Sequence, residues 1–241
     1  MGATNAYAGR GLHGQIVEEI GTRIIGGEYK PGDPLLADAL ERDFEVSKTV
    51  VREALKVLSA KGLVESRQKR GTLVRPRSEW SLLDSDVLRW QRGVEPDIGF
   101  LENLAEVRAI IEPAAVRLAA QRRTAADLDE LDDALAAMGA SAKDADAVVA
   151  ADVRFHRALL HAAHNELLTA MGGVLAAGLT ARDQFVHHGP HRDSLGSHRD
   201  IVDAVRAKNA DDANRAIDRL LAQSSRDLRA ARRAARRSPR T

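Results

Sequence analysis

The 241-residue chain has no cysteine, which excludes a disulfide framework, a thiolate metal site and a thiol nucleophile. Aromatic residues make up only 3%, so the core must be built from Ala, Leu, Val and Ile, which helices pack well. No apolar run approaches the roughly 18 to 20 residues that a membrane-spanning helix needs. Met1 to Gly14 carries no apolar stretch of the kind found in export signals. No membrane partner is therefore expected, and a cytoplasmic location is. Gly-x-Ser-x-Gly and the P-loop are missing, so nothing resembles a catalytic set. What is present, 44% hydrophobic and 29% charged residues, is the mix of an ordinary globular protein.

The net charge of +1 hides a segregation along the chain. Ser47 to Arg77 holds nine basic and two acidic residues, whereas Ser78 to Ser225 holds 16 basic and 24 acidic ones. Arg226 to Thr241 is basic again, seven to one. A concentrated basic stretch in a near-neutral chain points to a local anionic partner, with nucleic acid foremost and a solvated basic face as the alternative.

Apolar Ile16, Val17, Ile20, Ile24 and Ile25 recur at helical spacing, and Gly26-Gly27 and Pro31-Gly32 stop that helix. Leu36, Leu40 and Phe44 mark a second helix, with all three expected on one face. A third opens at Ser47, a favoured N-cap, buries Val51, Leu55 and Leu58, and closes at Lys61-Gly62. Leu63-Val64-Glu65 and Thr72-Leu73-Val74 flank a polar turn and read as a hairpin. Helix, helix, tight turn, helix and hairpin is the order of a winged helix-turn-helix, whose third helix enters the major groove. The basic stretch covers that helix and the hairpin, which favours nucleic acid over a solvated face.

The fold class expected is mainly α. A winged helix-turn-helix over residues 10–77 and a connector over 78–97 precede an all-helical bundle over 98–230 and an Arg-rich, disordered tail over 231–241. The connector carries a short helix around Asp84 to Trp90, and Trp80 and Trp90 are expected to pack at the junction between the domains. About six helices follow, the first carrying Pro113, which should kink or interrupt it.

Within the bundle, Asp152 and His156 stand at i and i+4, on one helix face. A carboxylate and an imidazole so placed suit a divalent metal with mixed oxygen and nitrogen ligands, and such pairs also arise as plain surface hydrogen bonds. His198 on a later helix would complete a set of three. His161 and His164 read as structural or solvated. His187, His188 and His191 lie in a Gly/Pro/Asp loop and are outside candidates for an extra ligand.

Val46 to Leu55, followed by Leu58 and Gly62-Leu63-Val64-Glu65, resembles the DNA-binding domain of GntR-family regulators, and the wing from Arg67 to Val74 fits the same pattern. Glu106-Val107-Arg108 with Glu112-Pro113, Asp152 to His156, Asn165 and His198-Arg199 resemble the ligand-binding FCD domain of the FadR subfamily. Two departures stand out. The family usually has Leu-Pro-Ser-Glu where this chain has Pro34-Leu35-Leu36-Ala37, so the usual cap of the second helix is lost. Metal-binding members carry a fourth ligand, a His, where this chain has Leu220. The site then holds a metal with three protein ligands, binds it weakly, or takes its effector without metal; the first is preferred.

The resemblance implies a homodimer that binds double-stranded operator DNA as an inverted repeat, most simply as a repressor. Lys48, Thr49 and Arg52 would meet base edges and phosphates, and Arg67, Lys69, Arg70, Gly71 and Thr72 would work from the wing. Arg52 is alternatively a salt-bridge residue, and Lys56 and Lys61 are expected to face solvent. Asp152, His156 and His198 would hold a divalent metal such as zinc. Arg108 and Arg182 would bind a carboxylate effector, although Arg108 is equally placed to pair with Glu112. Ser78 to Trp90 resembles the linker of repressors of sugar-acid catabolism, which implies an aldonate such as galactonate or gluconate. Another hydroxy acid or a fatty acyl compound, a metal-dependent hydrolase and a nucleoid-type protein are the alternatives.

Overall fold

The computed structural model describes residues 11–92, 98–140, 144–186 and 195–237. The chain divides into two compact units between Glu95 and Pro96.

In the first unit, α1 (Leu12–Ile25) buries Ile16, Val17, Ile20 and Ile24 against α3 (Lys48–Ala60). The N-cap of α3 is Ser47, whose hydroxyl accepts from the Val50 amide at 3.5 Å. Its other end closes with paired bonds, Leu63 N–H to Leu58 O at 3.1 Å and Gly62 N–H to Ser59 O at 3.0 Å, the Schellman arrangement. Gly62 has φ +76°, and a Cβ there would lie 2.5 Å from the Glu79 carbonyl, so both conformation and space demand glycine. Ahead of α3, Leu36 occupies the N-cap position of α2 (Ala37–Asp43) with no side-chain cap, as the missing Ser-Glu pattern foretold. Leu36 is 59% exposed, so the expected stripe of Leu36, Leu40 and Phe44 reduces to buried Leu40 and half-buried Phe44.

The hairpin pairs β2 (Val64–Arg67) with β3 (Gly71–Val74), antiparallel, with Val64 opposite Val74 and Arg67 opposite Gly71. A strand unforeseen from sequence, β1 (Pro34–Leu35), pairs with the other edge of β3, giving the order β1-β3-β2.

Trp80 and Trp90 correct the reading of the connector. Both pack into the core of the first unit. Trp90, on α4 (Ser85–Arg92), is 2% exposed. A Cβ at Gly21 of α1 would come within 2.7 Å of its ring. Glycine thus opens the seat for α4. Lys61, expected in solvent, reaches from the end of α3 to Asp84 at 2.9 Å and to buried Asp86 at 2.7 Å.

The second unit is a bundle of α5 (Ile98–Arg122), α6 (Ala125–Ala140), α7 (Ala145–Ala162), α8 (Glu166–Val186), α9 (Leu195–Arg206) and α10 (Ala210–Arg237). Helix α5 is continuous through Pro113 rather than interrupted. The main core joins Val116 and Ala120 of α5, Leu131 of α6, Phe155 and Leu159 of α7, Ile201 of α9 and Ile217 of α10. Helix α10 runs to Arg237, so residues 231–237, expected to be disordered, continue the helix. No helix of the described residues is long and apolar enough to cross a membrane.

Candidate nucleic-acid interface and metal centre

In the first unit, α3 and the hairpin carry every residue assigned to DNA contact. Thr49 and Arg52 are exposed on the first turns of α3, and half-buried Lys48 is ion-paired with Asp38 of α2. Arg52 makes no ion pair within 4.0 Å among the described residues, although its charge helps to hold the Asp38 carboxyl of α2 below its usual value. On the wing, Arg67 pairs with Glu65 of its own strand at 2.7 Å. Lys69 and Arg70 are exposed at the tip without a partner among the described residues, and Thr72 is half-buried on β3. Lys69 adopts φ +61° and Gly71 φ +79°. Nothing lies within 4 Å of a Cβ built on Gly71, so the backbone conformation alone selects glycine there. Lys56 is exposed, as expected, and bridges Glu53.

In the second unit, Asp152, His156 and His198 converge, each offering a ligand atom within 4.8 Å of the others. Asp152 Oδ1 lies 3.0 Å from Nε2 of His198 and 3.8 Å from Nε2 of His156. Both imidazoles are buried, and Phe155 packs edge-on against the His198 ring, centroids 4.7 Å apart. His156 Nδ1 faces Glu112 Oε2 at 3.0 Å. Glu112 also takes the Arg108 Nε–H at 2.6 Å, and Arg108 Nη2 lies 3.1 Å from His156 Nε2. Burial alone would raise the Glu112 carboxyl, but the charges of Arg108 and His156 reverse this and hold it at about 2. The Glu112 carboxylate thus stands against the Nδ1 edge of His156, opposite the Nε2 edge that faces Asp152 and Arg108. Burial likewise opposes ionisation of Asp152, and the two histidines and Arg108 overcome it, keeping its pKa well below the usual range.

The donor set suits a zinc-like ion. Zinc–nitrogen bonds of about 2.0–2.1 Å put tetrahedral ligands roughly 3.3 Å apart, and the 3.0 and 3.8 Å separations bracket that spacing. Leu220 is 6% exposed within the apolar core, so α10 supplies no ligand at the position where the subfamily pattern has a histidine.

Arg108 is buried and makes the Glu112 pair, the second of its two readings, and its Nη2 also reaches His156. Arg182, half-buried on α8, is paired with Asp183 beside it. Asp183 was not anticipated. It is 3% exposed; burial and the nearby charge of Asp152 push it up to about 7 against the opposing pull of Arg182 and Arg108. Its one sequence signal is an acid two positions after the apolar run that ends at Ala181. Glu112, quoted only within a motif and as a partner for Arg108, is the residue that orients His156. His161 and His164 both face Asp127, at 3.3 and 2.7 Å. His187, His188 and His191 lie outside the described residues.

A winged helix-turn-helix followed by a helical bundle with a polar interior defines a two-domain DNA-binding regulator. Residues 12–74 match the family model described as bacterial regulatory proteins, gntR family, and residues 103–223 match the FCD domain. The chain is 35% identical over 219 residues to the galactonate operon transcriptional repressor of Escherichia coli (strain K12), covering 89% of this chain and 96% of that one. It is 40% identical over 146 residues to the HTH-type transcriptional regulator LutR of Bacillus subtilis (strain 168), 60% of this chain and 65% of that one. The solved structure of Lar, which controls the Listeria monocytogenes agr system, shares the fold at TM-score 0.62 and 18% identity, over 91% of this chain and 97% of that one. The chain belongs to the GntR family of bacterial regulators, in the branch that carries an FCD domain. It is a transcriptional regulator and not an enzyme.

Proposed function

We propose that this regulator represses a sugar-acid catabolic operon from the cytoplasm and leaves its inverted-repeat operator when a small carboxylate, an aldonate such as galactonate or gluconate, binds the helical unit. The observation that carries the effector class is the interior convergence of Asp152, His156 and His198 beside the buried Arg108 guanidinium. A hydroxylated carboxylate needs both a cation for its charge and oxygen-seeking positions for its hydroxyls. The similarity to a galactonate operon repressor over most of both chains supports the same class.

A divalent ion held by Asp152, His156 and His198 would offer open positions to carboxylate and hydroxyl oxygens. Glu112 keeps the His156 lone pair available by holding the Nδ1 proton. Arg108 is anchored to Glu112 through Nε and reaches His156 through Nη2, so its guanidinium would stand beside the ion as the cation for an effector carboxylate. Arg182 is the second cation for that role. In the first unit, Arg52, Lys69 and Arg70, none of them ion-paired among the described residues, would bind operator with Lys48, Thr49, Arg67, Gly71 and Thr72. A homodimer presents two such surfaces to the half-sites. Effector binding releases DNA only through unequal affinity for two dimer geometries.

Fluorescence anisotropy of the full chain on the DNA upstream of its own gene tests this reading. The complex would be titrated with galactonate, gluconate, other hydroxy acids and fatty acyl compounds, with and without zinc. Release by one sugar acid is expected. Specific binding that no sugar acid releases overturns the effector class, and binding no tighter than to random DNA overturns the assignment of that fragment as operator.

A further inference from the structure

On α10, Arg226, Arg229 and Arg233 stand at i, i+3 and i+7, in one row along the helix. All three are exposed, and with Ala230 and Ala234 they line an open groove. Arg226 bonds to neutral Gln223, at 2.7 Å. Arg229 and Arg233 have no polar partner among the described residues. Six other arginines of this unit, Arg108, Arg117, Arg154, Arg206, Arg219 and Arg232, each face a carboxylate, whereas Arg157 and Arg199, also without an ion pair among the described residues, stand singly on α7 and α9 rather than in a row.

Folding alone does not account for the row. Like charges at these spacings oppose a helix. The attraction of cations to a helix C-terminus is confined to its last turn, and Arg226 and Arg229 lie more than two turns before Arg237. The apolar packing of this stretch is made by Leu228 instead, 5% exposed.

We propose that Arg226, Arg229 and Arg233 form a second phosphate-binding surface, which grips the DNA backbone without reading bases. Three guanidinium groups spread over about 10 Å of helix suit a line of phosphates. The rest of the helical unit is acidic, 14 basic to 20 acidic residues from Pro96 to Ser225, and would repel DNA without such a row. The sequence adds further arginines at 236, 237 and 240. This surface rests on the operator-binding reading, and its role is to strengthen binding to any sequence.

The test compares the full-length protein with R226Q/R229Q/R233Q and with R226K/R229K/R233K, on the upstream fragment and on random DNA of equal length, across a salt series. Sedimentation and thermal unfolding verify fold and oligomeric state. The glutamine variant is expected to bind both DNAs more weakly, with the ratio between them unchanged. Its log–log salt slope should be shallower by up to about 0.9 for each phosphate that is no longer neutralised. The lysine variant should behave like wild type, since a phosphate accepts a point charge. An unchanged slope and affinity overturns the proposal. So does weakened binding that follows a change in oligomeric state, which would make the row an interface between copies of the chain. Vesicles containing anionic lipid provide a third arm, and binding there but not to DNA would overturn the proposal in favour of a membrane surface. If wild type itself binds neither DNA, the operator-binding reading fails rather than this surface.

Discussion

Glu112 Oε2 lies 3.0 Å from Nδ1 of His156, on the ring edge opposite the one that faces Asp152 and Arg108. A proton held on Nδ1 by the Glu112 charge would leave Nε2 as the lone pair toward Asp152 and Arg108. Glu112→Gln removes the charge that enforces this tautomer. Removing the partner that orients a histidine ligand typically weakens a metal site by about 10- to 100-fold. Competition against a zinc-binding dye should show a reduction in that range. The variant also leaves buried Arg108 without its carboxylate, so its stability should fall, and circular dichroism must establish that the protein tested is folded. Unaltered zinc affinity in a folded variant would remove Glu112 from this role.

Asp152→Ala separates the two modules. Asp152 touches both histidines of the cluster and belongs to a unit other than the one that carries the wing. The variant should lose effector-induced release while operator affinity stays within about twofold, roughly 0.4 kcal/mol. Loss of operator binding by folded Asp152→Ala would mean that the helical unit is required to hold the DNA-competent state.

Gly21 is the seat for Trp90. A Cβ at Gly21 would meet three atoms of the indole ring at 2.7–2.8 Å, and a buried ring has little room to give way. Overpacking of this kind costs about 1 to 3 kcal/mol, although alanine is the better helix former. Both tryptophans of the chain lie in the first unit, so their fluorescence follows that unit's unfolding by itself. Gly21→Ala should shift that urea transition to lower concentration. A transition equal to or above wild type would show that α4 is not docked this way.

Much of this architecture was legible because it is written in periodicity. The Ile16–Ile25 stripe, the Ser47 cap and the Gly62 stop each have a local physical cause, and the structure places them accordingly. Strand β1 escaped notice because two residues carry no period; the bonds Gly32 N–H to Val74 O and Val74 N–H to Asp33 O draw it onto the edge of β3. The tryptophans misled for a related reason. An aromatic in a polar connector does not reveal which surface it covers, and a glycine inside a helix reads as weakness rather than as the space for an indole. The Asp152 and His156 pair was visible at i, i+4, and His198 on a later helix was legible only as a third histidine that would complete the set. That Arg108 spans 48 positions to reach His156, and that Asp183 is buried near Asp152, are tertiary facts that spacing does not encode.

Asp127 gives the helical unit a pH dependence of definite sign. It stands near the start of α6, accepting from the Thr124 amide and hydroxyl, both at 2.7 Å, and facing His164 Nε2 at 2.7 Å. His161 and Glu130 complete the charged surroundings. Burial would raise this carboxyl, but the Thr124 bonds and His164 outweigh it and bring it to about 2, from 3.8. A folded pKa below the unfolded one means that the unfolded chain binds more protons, so the contribution is present above pH 4 and disappears as pH falls toward 2. The difference corresponds to about 2 kcal/mol. Asp127→Asn should therefore be less stable than wild type by about that amount at pH 6, by calorimetry of the helical unit's transition in the full chain. The gap should narrow between pH 4 and the lowest pH at which both remain folded. A gap that stays constant over that range would assign the effect to altered cap geometry rather than to charge.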